Sequence, residues 1–157
     1  MAITVRRATA EDLDRLRAKE PRPGLVDQHF ALQGEGTIVY AVALDDETPV
    51  GTAVLDLDAD RMTPELRNMF VYPDARRKGA GRALTRFIED EARTAGHTAV
   101  YLAVDPNNYK AVPLYISLEY HPTGEHLFVD NPEVPQVEEG QQASTHYAIY
   151  KKSLTAR

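Results

Sequence analysis

The run Arg76-Arg77-Lys78-Gly79-Ala80-Gly81-Arg82-Ala83-Leu84 brings together residue types that can hold an anion. Gly79 and Gly81 let the backbone pass close to a ligand and reach φ values that a Cβ forbids. Five basic residues and no acidic one lie between Arg76 and Arg86. A strand pattern ends just before the run and a helix pattern begins within it. Unpaired N–H groups and the positive end of a helix dipole therefore fall at the same place. The chemistry this favours is binding of a phosphate group. Two phosphate motifs are excluded by residue type. No Gly-Lys-Ser/Thr occurs here, as a nucleoside-triphosphate loop requires. Position 84, where a dinucleotide fingerprint has its third glycine, is leucine.

What remains is Arg76-x-x-Gly79-x-Gly81, preceded by the strand Leu66–Val71 and the turn Tyr72-Pro73-Asp74. This resembles the pyrophosphate loop of the GNAT superfamily of acetyl-CoA-dependent N-acetyltransferases, Gln/Arg-x-x-Gly-x-Gly/Ala between a strand and a helix. Further along, Asn108-x-x-Ala111-x-x-x-Tyr115 resembles the helix that flanks the coenzyme thiol in the same family. The two motifs and their spacing cover about residues 65 to 120. Two residues depart from the family pattern. Glu119 stands where a glycine usually ends that helix in the left-handed conformation, which predicts a different ending here. Pro113 predicts a late or kinked start.

The resemblance implies a set of roles. Backbone N–H groups of Arg77, Lys78, Gly79, Ala80, Gly81, Arg82 and Ala83 cradle the pyrophosphate, Arg76 and Lys78 add charge, and Asn108 belongs to the coenzyme side. Backbone groups of Phe70 and Val71 pair with the pantetheine arm like an extra strand, and one N–H polarises the acetyl carbonyl. Acetyl-CoA is the co-substrate, a primary amine attacks it directly through a tetrahedral intermediate, and no metal is needed. Tyr115 is the implied general acid: a thiol titrating near ~8.5 leaves more easily with a proton, which a phenol near ~10 can supply. On its own, a tyrosine on an amphipathic helix is more often a core or boundary residue. Glu65, at the start of the strand before the glycine loop, matches the family's general base, with Glu35, Asp27 and Tyr72 as alternatives. A non-catalytic acyl-CoA sensor of the same fold is the other reading. Members of the family are often dimers, so the resemblance allows a homodimer.

Composition narrows the class. The 157 residues, 43% hydrophobic and 27% charged, suit one soluble domain spanning 1–157 with a real core. No apolar run approaches the roughly 18 residues of a membrane span, and Met1 to Arg7 lacks a signal-peptide core. The absence of cysteine removes disulfides, thiolate metal sites and cysteine nucleophiles. A cytoplasmic location is the simplest expectation. A net charge of −6 argues against nucleic acid as a partner, and Arg76–Arg86 contains no aromatic residue to stack on a base. Asp56-x-Asp58-x-Asp60 opens like a calcium loop but has Arg61 at the sixth position and Arg67 at the twelfth. The five histidines show no ligand spacing.

The elements that must position these residues follow from the apolar pattern. Strands are expected at Ile3–Arg6, Thr37–Leu44, Val50–Leu57, Glu65–Val71 and Thr98–Val104, then near Tyr120–Phe128 and Ser144–Lys151. Helices are expected from a Thr9 cap to about Glu20, and from the glycine loop to Gly96. Residues 25–36 read as a short helix or an ordered loop. Paired strands followed by strand–helix–strand predict an α/β fold. Its sheet is expected to be GNAT-like, mixed, mostly antiparallel and partly splayed, with helices on both faces. The stretch His121–Gln142 is the least regular, with three prolines, five acidic residues (Glu125, Asp130, Glu133, Glu138, Glu139) and no Lys or Arg. It reads as a solvated loop, or as an acidic wall favouring a cationic amine acceptor, a small molecule before a protein.

Overall fold

A computed structural model of the chain describes residues 3–59, 62–76, 78–137 and 141–155. β2 (Ile38–Asp45) shows how the sequence dictates the layering. Its apolar run leaves neither face polar, and successive side chains point to opposite faces. Val39, Ala41 and Ala43 pack into one core with Leu84, Ile88 and Ala92 of α3 (Ala80–Thr94). Ile38, Tyr40, Val42 and Leu44 pack into a second core with Leu16 of α1 (Leu13–Arg17) and Val26 of α2 (Leu25–Glu35). Helices therefore cover both faces of the sheet. The stretch 25–36 resolves as the helix Leu25–Glu35, with left-handed glycines, Gly24 and Gly36, capping its two ends.

The remaining strands are β1 (Ile3–Arg7), β3 (Thr48–Asp56), β4 (Glu65–Val71), β5 (Ala99–Val104), β6 (His121–Phe128) and β7 (His146–Ser153). Their order is β1-β2-β3-β4-β5-β7-β6. Every neighbouring pair is antiparallel except β4 and β5, which are parallel and joined through α3. That pair has a single register partner, Glu65↔Tyr101, with Tyr101 N–H donating to the Pro64 carbonyl at 3.0 Å. Beyond it the strands part. β4 also bulges: Thr52 faces Phe70 and Val54 faces Arg67, so Asn68 and Met69 share one place opposite Ala53. Asn68 takes the left-handed conformation there, φ 52°.

α3 exposes its N-terminal end to the gap between β4 and β5. Gly96, φ 91°, closes its other end, where the His97 N–H reaches the Ala92 carbonyl at 3.0 Å. α4 (Ala111–Ser117) starts late, as Pro113 predicts: the Asn108 Oδ1 accepts the Ala111 N–H at 3.0 Å, and the proline occupies the first turn, where its missing N–H costs nothing. Its other end corrects the expectation. Glu119 takes up the left-handed conformation, φ 73°, and the Tyr120 N–H reaches the Tyr115 carbonyl at 3.0 Å, the ending a glycine would make. The strain of roughly 1–2 kcal/mol is held in place because Tyr120 is fully buried beyond it.

Tyr120 is also part of a buried polar anchor. Glu89 of α3, 3% exposed, accepts a hydrogen bond from Tyr120 Oη at 2.8 Å and pairs with Lys152 Nζ of β7 at 3.0 Å. Removing one partner of a buried pair strands the other charge. Glu89→Ala is therefore expected to destabilise the fold by about 3–5 kcal/mol in urea unfolding. A loss below about 1 kcal/mol would show that the triad does not anchor α3.

Candidate active site

At the glycine loop, Gly79 adopts φ 84° and α3 begins at Ala80, with no acidic residue in its first turn. The first hydrogen bond back into the turn is Ala83 N–H to the Gly79 carbonyl at 3.0 Å, so the N–H groups of Ala80 to Arg82 precede the helical ladder. Gly81 is closely packed: a Cβ there would lie 3.3 Å from Leu114 Cδ2 and 3.6 Å from Met69 Sδ. The helix end is thus pressed against β4 and α4, and opens onto a cavity of about 330 Å³ between the parted strands.

That cavity brings together most of the residues singled out in the sequence. Phe70, Val71, Arg76, Gly79, Ala80, Gly81, Asn108 and Tyr115 all line it. Lys78, Arg82 and Ala83 do not. Lys78 Nζ pairs with Asp45 at 3.0 Å, and Arg82 donates to Ser117 Oγ at 3.1 Å. Arg77 lies outside the described residues, as do Glu138 and Glu139 of the acidic stretch. Tyr115, 6% exposed, directs its hydroxyl at Met69 Sδ, 3.7 Å away, and burial holds its phenol well above the ordinary value. Reading along the chain missed Met69 and Leu114. It also missed Pro135, Gln136 and Val137, which reach the cavity from the β6–β7 connection. Leu114 and these three residues reach β4 only through tertiary packing.

The proposed bases separate clearly. Glu65 does not line the cavity but sits at the closed end of the splay, where burial raises its carboxyl to about 7, against a smaller downward pull from Arg67 and an upward push from Asp56. Asp27 is held below its ordinary value by the hydrogen bonds of Arg17, the shortest at 2.6 Å, and is a weak base. Burial pushes the Tyr72 phenol up to about 12, so it stays protonated. Glu35 is exposed at the end of α2.

The β6–β7 connection is anchored rather than solvated where it crosses the site. Arg22 donates to Asn131 Oδ1 and the Pro132 carbonyl, both at 3.1 Å. Val134 is 2% exposed and lines a small second hollow beneath α1 and α2. Glu133, one of the five acids, turns inward onto β4: Asn68 Nδ2 donates to it at 2.9 Å and Arg67 lies 3.7 Å away.

Comparison with known proteins agrees with this geometry. A family profile described as Acetyltransferase (GNAT) family matches residues 6–120. The chain is 37% identical over 78 residues to an IAA acetyltransferase of Azospirillum brasilense, covering 50% of this chain and 51% of that protein. It is 34% identical over 92 residues to the [ribosomal protein bS18]-alanine N-acetyltransferase of Salmonella typhimurium, covering 59% and 60%. The chain thus matches only about half to three fifths of these relatives' length. Among solved structures, a GNAT family acetyltransferase of Elizabethkingia anophelis with acetyl-CoA bound superposes with a TM-score of 0.70 at 22% identity, over 97% of this chain and 98% of that one.

Glu65 yields a prediction about stability. Its carboxyl titrates at about 7 when folded against an ordinary 4.5. Between those values the folded protein binds more protons than the unfolded chain, so stability falls as pH rises. Above about 7 the ionised carboxylate costs about 3 kcal/mol relative to an exposed one. Glu65→Gln should therefore gain Tm over the parent between pH 5 and pH 8. An equal difference at both pH values would show that Glu65 does not titrate in this window.

Proposed function

The chain belongs to the GNAT acetyltransferase family, and on that premise we propose that it moves the acetyl group of acetyl-CoA to a primary amine by direct attack. The observation that carries this reading is that one cavity runs from the open end of α3, between the parted strands, to the buried hydroxyl of Tyr115. The N–H groups of Ala80 to Arg82 suit a pyrophosphate, with Arg76 at the rim. Because Lys78 and Arg82 are engaged with Asp45 and Ser117, backbone dipoles rather than these side chains carry most of the anion. The missing Cβ of Gly81 leaves room where the helix end meets Met69 and Leu114.

Acetyl-CoA supplies a thioester carbonyl to the site. Beside it, β4 offers the backbone of Phe70 and Val71 on an edge that β5 has left, as an extended ligand arm requires. Tyr115, held protonated until the thiolate departs, gives its proton to that sulfur and regains one from solvent. Glu65, titrating near 7, accepts the amine's proton through water, since it stands outside the cavity lining. The departures at Pro113 and Glu119 do not displace Tyr115: the helix keeps its cap and its left-handed ending. The acceptor is a small amine in this reading. A cytoplasmic setting and a homodimer go with it as proposals.

Two experiments test it. Acetyl-CoA at a hundredfold excess over Kd should stabilise the protein by about 2.7 kcal/mol, seen as a raised Tm. Gly81→Asp should abolish that shift by placing bulk and negative charge against Leu114 and the helix end. A folded Gly81→Asp protein that still binds coenzyme A would overturn the loop assignment. Tyr115→Phe should keep coenzyme affinity and lower single-turnover thiol release by roughly 10² to 10⁴. An unchanged rate would return Tyr115 to a packing role.

A further inference from the structure

Asn68 and Phe70 form the wall between the coenzyme-side cavity and the small hollow beneath α1 and α2, and line both. Asn68 sits at the β4 bulge, and two elements from distant parts of the chain close on its side chain. Its Nδ2 lies 2.9 Å from Glu133 Oε1 on the β6–β7 connection and 3.2 Å from His29 Nε2 on α2. A carboxylate only accepts, so the nitrogen of the amide, not its oxygen, must face Glu133. The second amide hydrogen serves His29, provided that Nε2 is unprotonated and the ring carries its proton on Nδ1. Burial favours this neutral form, although Glu133 opposes it. The partners are themselves fixed: Arg67 holds Glu133 at 3.7 Å, and the His29 ring packs on Tyr40 with centroids 5.0 Å apart. Flipping the amide would set its carbonyl against the carboxylate. Both donors are therefore committed, and the polar atom these bonds leave is Oδ1, an acceptor.

We propose that Asn68 positions the acceptor: its carbonyl oxygen takes one N–H of the incoming primary amine at the wall between the two cavities. This rests on the acetyltransfer reading above and adds a selectivity to it. As the N–C bond forms and the C–S bond breaks, one amine proton goes to the base, and the sulfur takes a proton from Tyr115, which regains one from solvent. A primary amine still has an N–H for Asn68 after that loss, and its product amide keeps it. A secondary amine has none to spare. The site therefore selects primary over N-methylated amines, and His29 and Glu133 act only by orienting the amide.

The test uses thiol release with benzylamine and an alanyl hexapeptide, each beside its N-methyl counterpart, on the parent protein and Asn68→Gly. Glycine keeps the left-handed backbone while deleting the amide. Expected are an acceptor KM raised about tenfold or more, as for loss of a hydrogen bond to a polar partner, and a smaller preference for the primary amine. The Kd for acetyl-CoA should stay within about twofold of the parent. An unchanged acceptor KM and preference, or a coenzyme Kd that weakens in parallel, would overturn the proposal. Failure of every probe amine to react would sink the acetyltransfer reading instead. The clamp is read separately by ¹⁵N NMR of the histidine rings, with His29→Gln to assign the signal. An Nδ1–H tautomer whose Nε2 shift moves in Asn68→Gly supports it, whereas an Nε2–H tautomer, or a shift that does not move, refutes it.

Discussion

Parallel strands β4 and β5 meet at Glu65 and Tyr101 and then separate, and the site depends on that separation. Backbone N–H and C=O groups need partners when taken out of water. A sheet opened in its middle therefore leaves an edge that an extended ligand can occupy, and a gap into which a helix end can point. Parallel neighbours need a crossover rather than a hairpin. The crossover here is α3, so the element that joins the strands also turns its N-terminal end toward the gap. The closing point of the gap buries Glu65, which raises its carboxyl toward neutrality. One topological event thus sets the cavity, the helix end and the titration of Glu65.

Holding the gap open requires the elements around it to be stiff, and buried acids serve as the fasteners. Glu89 joins α3 to β7 through Lys152 and to the start of β6 through Tyr120. Asp105, at the end of β5, accepts the N–H groups of Asn107 and Ser144, at 2.8 and 2.9 Å, so the turn before α4 is tied to the entry of β7. Asp12 accepts the Thr9 N–H at 2.7 Å and receives the Arg6 guanidinium at 2.7 and 2.9 Å, fixing β1 to the start of α1. In each case one carboxylate satisfies donors from two segments. That is how a charge becomes tolerable in a core. Glu133 differs: it is only partly buried, and its partners Arg67 and Asn68 are neighbours on one strand, β4.

The acidic connection between β6 and β7 shows how the same residues can be read two ways. Two prolines, Pro132 and Pro135, and no cation describe a solvated loop as long as each residue is taken alone. In the fold, Val134 is buried against α1 and α2, Arg22 grips the backbone at Pro132, and Glu133 faces β4. Prolines limit the conformations the segment can lose on ordering, so such a stretch can be fixed by few contacts. It reaches the main cavity through Pro135, Gln136 and Val137 and the smaller hollow through Val134.

The sequence by itself determined the layers and one end of the site. Continuous apolar runs such as Thr37–Leu44 demand burial on both faces, and Gly79 with Gly81 beside a helical pattern demands a bare helix end. These are local properties, set by side-chain period, φ freedom and charge, and they are legible residue by residue. Only the tertiary structure decided that Tyr115 lies over Met69, that Lys78 and Arg82 are spent on Asp45 and Ser117, and that Glu119 takes a glycine's conformation. It also brought His29, Asn68 and Glu133 together from three separate stretches. Such contacts depend on packing between elements distant in the chain, where a hydrogen bond or a pair of charges is settled by which neighbour arrives. No spacing along a single segment encodes that.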